Sequence, residues 1–134
     1  MQGQKLAPFV ASPLQIGERM LEVAGVKSSD TVFDLGCGDG RILFSAAKRF
    51  GAKAVGVEIS AQLVKKVNHD AQQQGLGDQV KAIQSDMRDV DVSPASVVAL
   101  YLLTEANDEI RPKLEKELKP GTRVVSLDFK FKNW

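Results

Sequence analysis

The sequence predicts an open, doubly wound α/β sheet, mostly parallel, built as a single domain. Three observations lead there. Short apolar strand-like runs alternate with helical stretches from end to end, the pattern that parallel strands with helical crossovers produce. No repeat, low-complexity tract or linker divides the chain, and 134 residues suffice for one buried core. The composition, 43% hydrophobic and 26% charged, is that of an ordinary globular protein.

The elements follow in order. Residues 1–28 form an N-terminal segment and helix, and residues 29–134 the sheet core. Ser12-Pro13-Leu14-Gln15 starts the helix: serine can cap, proline suits the first helical position, and glutamine falls where a capping box needs it. The helix runs to about Ala24 and stops at Gly25. "TVFDLG" (31–36) is a buried strand, followed by a helix from about Gly40 to Phe50 that Gly51 ends. "KAVGVEI" (53–59) is the second strand, and Ser60 caps a helix reaching about Gln74. "VKAIQSD" (80–86) and "SVVALYLL" (96–103) are the third and fourth strands. A helical stretch to about Leu118 should break or restart at Pro112, and "RVVSLDF" (123–129) is the fifth strand. The connection 87–95 is near the lower limit for a parallel crossover, so a turn or stub helix is expected there.

Charge and cysteine usage narrow the surroundings. A formal net charge of +1 gives no global pull toward nucleic acid or membrane. The single cysteine, Cys37, cannot form an internal disulfide, which suits a reducing compartment. The opening "MQGQKLAPFV" lacks the cationic and apolar segments of a signal peptide, and the apolar run 97–103 is too short to span a bilayer. A cytoplasmic location is expected. His69, the sole histidine, sits mid-helix between Asn68 and Asp70 and has no partners for a metal site or a Ser–His triad.

Ligands of open parallel sheets bind beyond the carboxyl ends of the strands, where strand order reverses. Those ends carry Asp34 with its glycine loop, Glu58, Asp86, the segment 101–104 and Asp128. The loop is Gly36-Cys37-Gly38-Asp39-Gly40. Its glycines permit positive φ and let a ligand approach the backbone, while the following helix offers free N–H groups. A dinucleotide fingerprint would space its glycines G-x-G-x-x-G, which this loop does not do. Asp34 and Asp39 would also repel a pyrophosphate and favour a ligand with a cationic group.

"VFDLGCGDGRI" closely resembles the first motif of class I S-adenosylmethionine (SAM) methyltransferases, and the resemblance continues through Glu58 and Asp86-Met87 in the right order. "PFVASP" and "YLLTEANDEIRPKLEKELKPGTRVVSLDF" are similar to one branch, the small archaeal-type protein lysine methyltransferases and their relatives that modify the c-ring protein of ATP synthase. The resemblance implies a Rossmann-like sheet of about five strands in the order 3-2-1-4-5, here without the usual C-terminal antiparallel hairpin. It implies SAM as cofactor, S-adenosylhomocysteine as product, and no metal. Asp34 would anchor the methionine amino group, with Gly36, Cys37, Gly38 and Gly40 forming the loop against the cofactor. Glu58, with Ile59 beside it, would take the ribose hydroxyls, and Asp86 and Met87 the adenine. Cys37 reads as a small packing residue within that loop, because methyl transfer from SAM needs no covalent enzyme intermediate. Phe9 and Ser12 would close over the cofactor.

The end of the fourth strand bears on the acceptor. Enzymes that methylate exocyclic amino groups of bases carry Asn/Asp-Pro-Pro-aromatic there, whereas this chain has Tyr101-Leu102-Leu103-Thr104, similar to the lysine-methylating branch. Tyr101 either orients the acceptor amine or packs as a strand residue under the loop, and Asn107 is better explained as a helix-start residue. The expected reaction is methyl transfer to a lysine of a protein partner. The alternatives are a SAM-binding module with little or no catalysis, a methyltransferase acting on RNA or a small molecule, and, weakest, a nicotinamide oxidoreductase. Without the hairpin, strand five would be an exposed edge guarded by Lys130 and Lys132, through which the chain would self-associate.

Overall fold

The computed structural model describes residues 13–129, with side chains for residues 14–100 and 108–126. Its elements are α1 (Pro13–Val23), β1 (Thr31–Leu35), α2 (Arg41–Phe50), β2 (Lys53–Glu58), α3 (Ala61–Gln73), β3 (Val80–Gln84), β4 (Val97–Leu103), α4 (Thr104–Glu117) and β5 (Arg123–Phe129). The five strands form one sheet in the order β3-β2-β1-β4-β5, and every pairing is parallel. Strand order therefore reverses between β1 and β4, and all five carboxyl ends lie along one rim. Among the described residues no helix is long and apolar enough to cross a membrane.

Helices cover both faces, unequally. On one face Met20 and Leu21 of α1, Ile42, Leu43, Ala46 and Ala47 of α2, and Val67 and Ala71 of α3 pack on Val32, Ala54, Ala82 and Val97. On the other, Ile110 and Leu114 of α4 pack against Phe33, Leu35, Val57, Val98 and Leu100. Leu21, Leu35 and Leu43 are fully buried, each contributing about 1.5–3 kcal/mol through area removed from water. The connection 87–95 is made of turns without a stub helix. It covers the α4 face by burying Val92 and Ala95, and the Val92 N–H donates to Glu117 Oε1 at 3.3 Å.

The expected break at Pro112 is absent, because α4 runs through it. Pro112 stands on the exposed side of the helix, as does Asp108 one turn earlier. Water can replace the one backbone bond that proline removes there. Ser60 caps α3 as expected, its Oγ accepting the Leu63 N–H at 3.3 Å. Ser12 and Phe9 lie outside the described residues, and so does the side chain of Tyr101.

Buried Asp30 fastens the rim opposite the strand ends. Its carboxylate accepts the Lys27 N–H at 2.8 Å and the Ser96 hydroxyl at 2.8 Å, and pairs with the Arg123 guanidinium. Arg123 also donates to the Ala24 and Gly25 carbonyls, at 2.7 and 3.0 Å. One carboxylate thus joins the end of α1 to the starts of β1, β4 and β5. Burial alone would raise its pKa, but these donors outweigh it and hold the pKa below the ordinary value.

β2 passes unusually close beneath the glycine loop. A Cβ on Gly56 would stand 2.5 Å from Cys37 Sγ and 2.6 Å from Leu43 Cδ1, so only glycine lets the strand lie there. Gly56→Ala should lower stability by about 1–3 kcal/mol through overpacking. Urea denaturation measures it, and Cys37→Ala in the same chain should recover part of the loss by removing the nearest atom.

Candidate functional site

The loop after β1 is built to leave backbone bare. Gly36, Gly38 and Gly40 take φ of 81°, 58° and 87°, left-handed values that side chains rarely adopt. The Gly36 and Cys37 N–H groups both donate to the Val57 carbonyl, at 2.7 and 3.1 Å, fixing the loop to β2. Among the described residues nothing lies within 4 Å of a Cβ placed on Gly38. Gly40 begins α2 with no side-chain cap, so among the described residues the first-turn N–H groups of the helix have no capping side chain. Around the loop lies a cavity of about 250 Å³ lined by Gly17, Asp34, Gly36, Cys37, Gly38, Asp39, Arg41 and Ile42.

Asp34 is the unusual group in that cavity. It is buried, and among the described residues its Oδ1 has no hydrogen-bond partner. Burial, with the nearby charge of Glu58, pushes its carboxyl from 3.8 up to about 7. A buried acceptor without a donor is costly, and it fits a ligand that brings an N–H or an ammonium. Asp39 behaves differently, because Arg41 Nε donates to its Oδ2 at 3.0 Å. The expectation that the loop favours a cationic group therefore rests on Asp34 and not on both acids.

Glu58 stands at the end of β2 between two regions. Its Oε1 accepts the Gly38 N–H at 2.9 Å and its Oε2 the Ser60 N–H at 3.0 Å. An ionised carboxylate offers about four lone-pair directions, so both oxygens keep capacity for further donors. Beyond it Ile59, Asp86, Met87, Arg88, Glu109 and Ile110 line a second cavity of about 220 Å³. Ile59 is 69% exposed, an apolar side chain left open to solvent. Three carboxylates thus follow one another along the rim: Asp34 in the first cavity, Glu58 between, and Asp86 in the second.

Residues 34–134 match the family described as the ANTKMT methyltransferase domain. The chain belongs to this family. Among individual relatives, a protein-lysine N-methyltransferase of Saccharolobus islandicus is 46% identical over 95% of this chain and 80% of its own length. The human lysine N-methyltransferase of the ATP-synthase C-subunit is 32% identical over 95% of the chain, which spans only 54% of that relative. The crystal structure of an RNA methyltransferase from Salinibacter ruber, holding S-adenosyl-L-homocysteine, superposes with a TM-score of 0.85 at 46% identity. It covers 93% of this chain and 82% of that one.

Within this ANTKMT-family chain the residues singled out from sequence divide by place. Asp34, Gly36, Cys37 and Gly38 line the first cavity, Ile59, Asp86 and Met87 the second, and the Glu58 carboxylate grips the loop at Gly38. Gly40 lines neither; a Cβ there would press on Val67 and Phe44, at 3.0 and 3.2 Å, so it lets α2 sit close to α3. Cys37 is buried, and burial, followed by the charges of Asp34 and Glu58, pushes its thiol up to about 12, the environment of an inert packing residue. Tyr101 pairs through its backbone with Leu127 of β5. His69 is exposed on α3.

Sequence reasoning missed Gly17, Arg41 and Arg88. Gly17 lines the first cavity, and a Cβ there would lie 2.9 Å from Ile42 Cγ1, so α1 can close over the loop only with glycine at that position. The available signal is a glycine inside a helical run, which costs about 1 kcal/mol relative to alanine.

Asp34 makes stability depend on pH. The unfolded carboxyl ionises near 3.8, whereas the folded one stays protonated to about 7. Across that window the folded chain binds the extra proton, so stability falls as pH rises through it and stays low above. Asp34→Asn should raise the melting temperature of the ligand-free protein by several degrees at pH 8. The gain should shrink toward pH 4; thermal denaturation across pH checks it.

Proposed function

We propose that this ANTKMT-family chain binds S-adenosyl-L-methionine across the carboxyl ends of β1–β3 and transfers its methyl group to a lysine side chain of a protein. The observation that carries the cofactor assignment is the buried Asp34 oxygen that lacks a donor among the described residues, beside a bare glycine backbone and followed along the rim by Glu58 and Asp86. Asp34 takes the methionine ammonium, and the Gly36–Gly38 backbone lies along the methionyl and ribose portions. Glu58 uses its remaining lone pairs for the ribose hydroxyls while Gly38 and Ser60 fix its orientation. Adenine lies against Ile59 and Met87 with Asp86 at its edge. A single free thiol, buried Cys37, suits a reducing compartment, and the proposed location is the cytoplasm.

When bound, the sulfonium would supply an activated methyl group that a neutral amine can take by in-line attack, with the thioether as leaving group. The chain has to align the two and exclude water, and the amine must arrive without its proton. A lysine amine has an ordinary pKa of about 10.4; an apolar channel and a neighbouring positive charge both favour its neutral form. Nitrogen would form the new bond to the methyl carbon as the carbon–sulfur bond breaks, sulfur keeping the electron pair, which leaves a methylated ammonium and S-adenosyl-L-homocysteine. Tyr101, at the carboxyl end of β4, is the residue proposed to orient the amine.

Lysine as acceptor is supported by the 46%-identical Saccharolobus islandicus relative and by the lysine N-methyltransferases of the ATP-synthase C-subunit. RNA is the second reading, because the 46%-identical Salinibacter ruber structure is that of an RNA methyltransferase. A formal net charge of +1 favours the first, since affinity for RNA rests largely on neutralising phosphates.

Calorimetric titration should find SAM bound and NAD not bound, and Asp34→Asn or Glu58→Gln should weaken SAM by at least about tenfold. Preference for NAD, or full affinity in both variants, would refute the site. The acceptor is checked by mass spectrometry of a basic-protein mixture and total RNA, each incubated with SAM. Methyl gain on lysine is expected; gain on RNA alone would select the second reading.

A further inference from the structure

The second cavity holds an arrangement that methyl transfer does not by itself require. Arg88 grips Asp86 with two arms of its guanidinium: Nε donates to Oδ1 at 3.0 Å and a terminal nitrogen to Oδ2 at 2.7 Å. The Arg88 backbone N–H adds a third bond to Oδ1, at 2.9 Å. The other terminal nitrogen reaches Glu109 of α4, at 3.5 Å, so the side chain bridges the β3–β4 connection to the helix. Arg88 is 61% exposed and Glu109 67%. Ion pairs so exposed add little to stability, and the geometry invites another role.

That role follows from counting acceptors. Of about four lone-pair directions on an ionised carboxylate, Arg88 occupies two on Oδ1 and one on Oδ2. Among the described residues one remains free, on Oδ2, and the planar fork prevents the carboxylate from rotating to offer another. The same cavity is walled by Ile59, Met87 and Ile110, apolar surfaces suited to the faces of a purine. A slot with apolar walls and one fixed anionic acceptor matches a ring carrying an exocyclic amino donor, and opposes a ring carrying a carbonyl oxygen there.

We propose that Arg88 is the positioning residue that makes this slot specific for a 6-amino purine: its fork fixes Asp86 with one acceptor direction left for the adenine amino group. The proposal rests on the proposed placement of adenine beside Asp86. Arg88 itself touches no reacting atom; it acts through the orientation of Asp86, with Glu109 steadying its far side.

The test titrates the full chain with S-adenosyl-L-homocysteine and with S-inosyl-L-homocysteine, which carries a 6-oxo group, and follows the ratio of the two affinities. The unsubstituted chain should prefer the adenine compound by about tenfold or more. Arg88→Gln should bring the ratio below about threefold. Arg88→Lys should do nearly the same, because an ammonium keeps the charge without the fork. Asp86→Asn should abolish or invert the preference, since an amide can donate to the 6-oxo group. A merely structural arginine would weaken both compounds alike or lower the melting temperature without moving the ratio, and that result overturns the proposal. Full preference in Arg88→Lys overturns the fork. Absence of preference in the unsubstituted chain, or its survival in Asp86→Asn, removes the adenine reading itself. Loss in Asp86→Asn with retention in Arg88→Gln removes Arg88 alone.

Discussion

Parallel pairing of all five strands is the constraint on which the rest of this structure depends. Parallel strands send every carboxyl end to the same rim, so residues far apart in sequence become neighbours there. Asp34, Glu58 and Asp86 close three successive strand-and-loop units, and the order β3-β2-β1 sets them side by side in one row. The opposite rim carries the mechanical fastening. Asp30, Ser96 and Arg123 join β1, β4 and β5 where no ligand needs to enter.

The loop shows how close packing and an open site are combined. Gly56 lets β2 run beneath Cys37 and Leu43, and Gly17 lets α1 close over Ile42. These two absent side chains bring the walls in, while Gly38 keeps the floor clear. Asp34 then occupies a position that costs the ligand-free fold stability, a buried carboxyl oxygen with no donor among the described residues. Such a cost is common where a protein holds a group ready for a ligand.

Most of the architecture is legible in the sequence because its signals are local. Strand and helix order, the Ser60 cap and the glycine stops after α1 and α2 need only propensity and periodicity. Pro112 departs from its local signal for a tertiary reason: α4 is held by Ile110 and Leu114 packing on the sheet, and the proline falls on its exposed side. The connection 87–95 carries no helical signal, but its covering of a sheet face through Val92 depends on what lies above and below it. Asp39 looks equivalent to Asp34 in the loop, but it pairs with Arg41 two residues on, and only the fold buries Asp34.

Periodicity and strand-end position are properties of neighbouring residues, so the class of fold, the glycine loop and the three acids after the strands are readable from the residues alone. The fold decided which acid is left without a donor among the described residues, which glycine clears space and which closes it, and that Arg88, already paired with Asp86 two residues before it, also reaches Glu109 of α4. Those outcomes depend on burial and on distances between elements, and such distances exist only once the strands have been ordered and the helices laid on them.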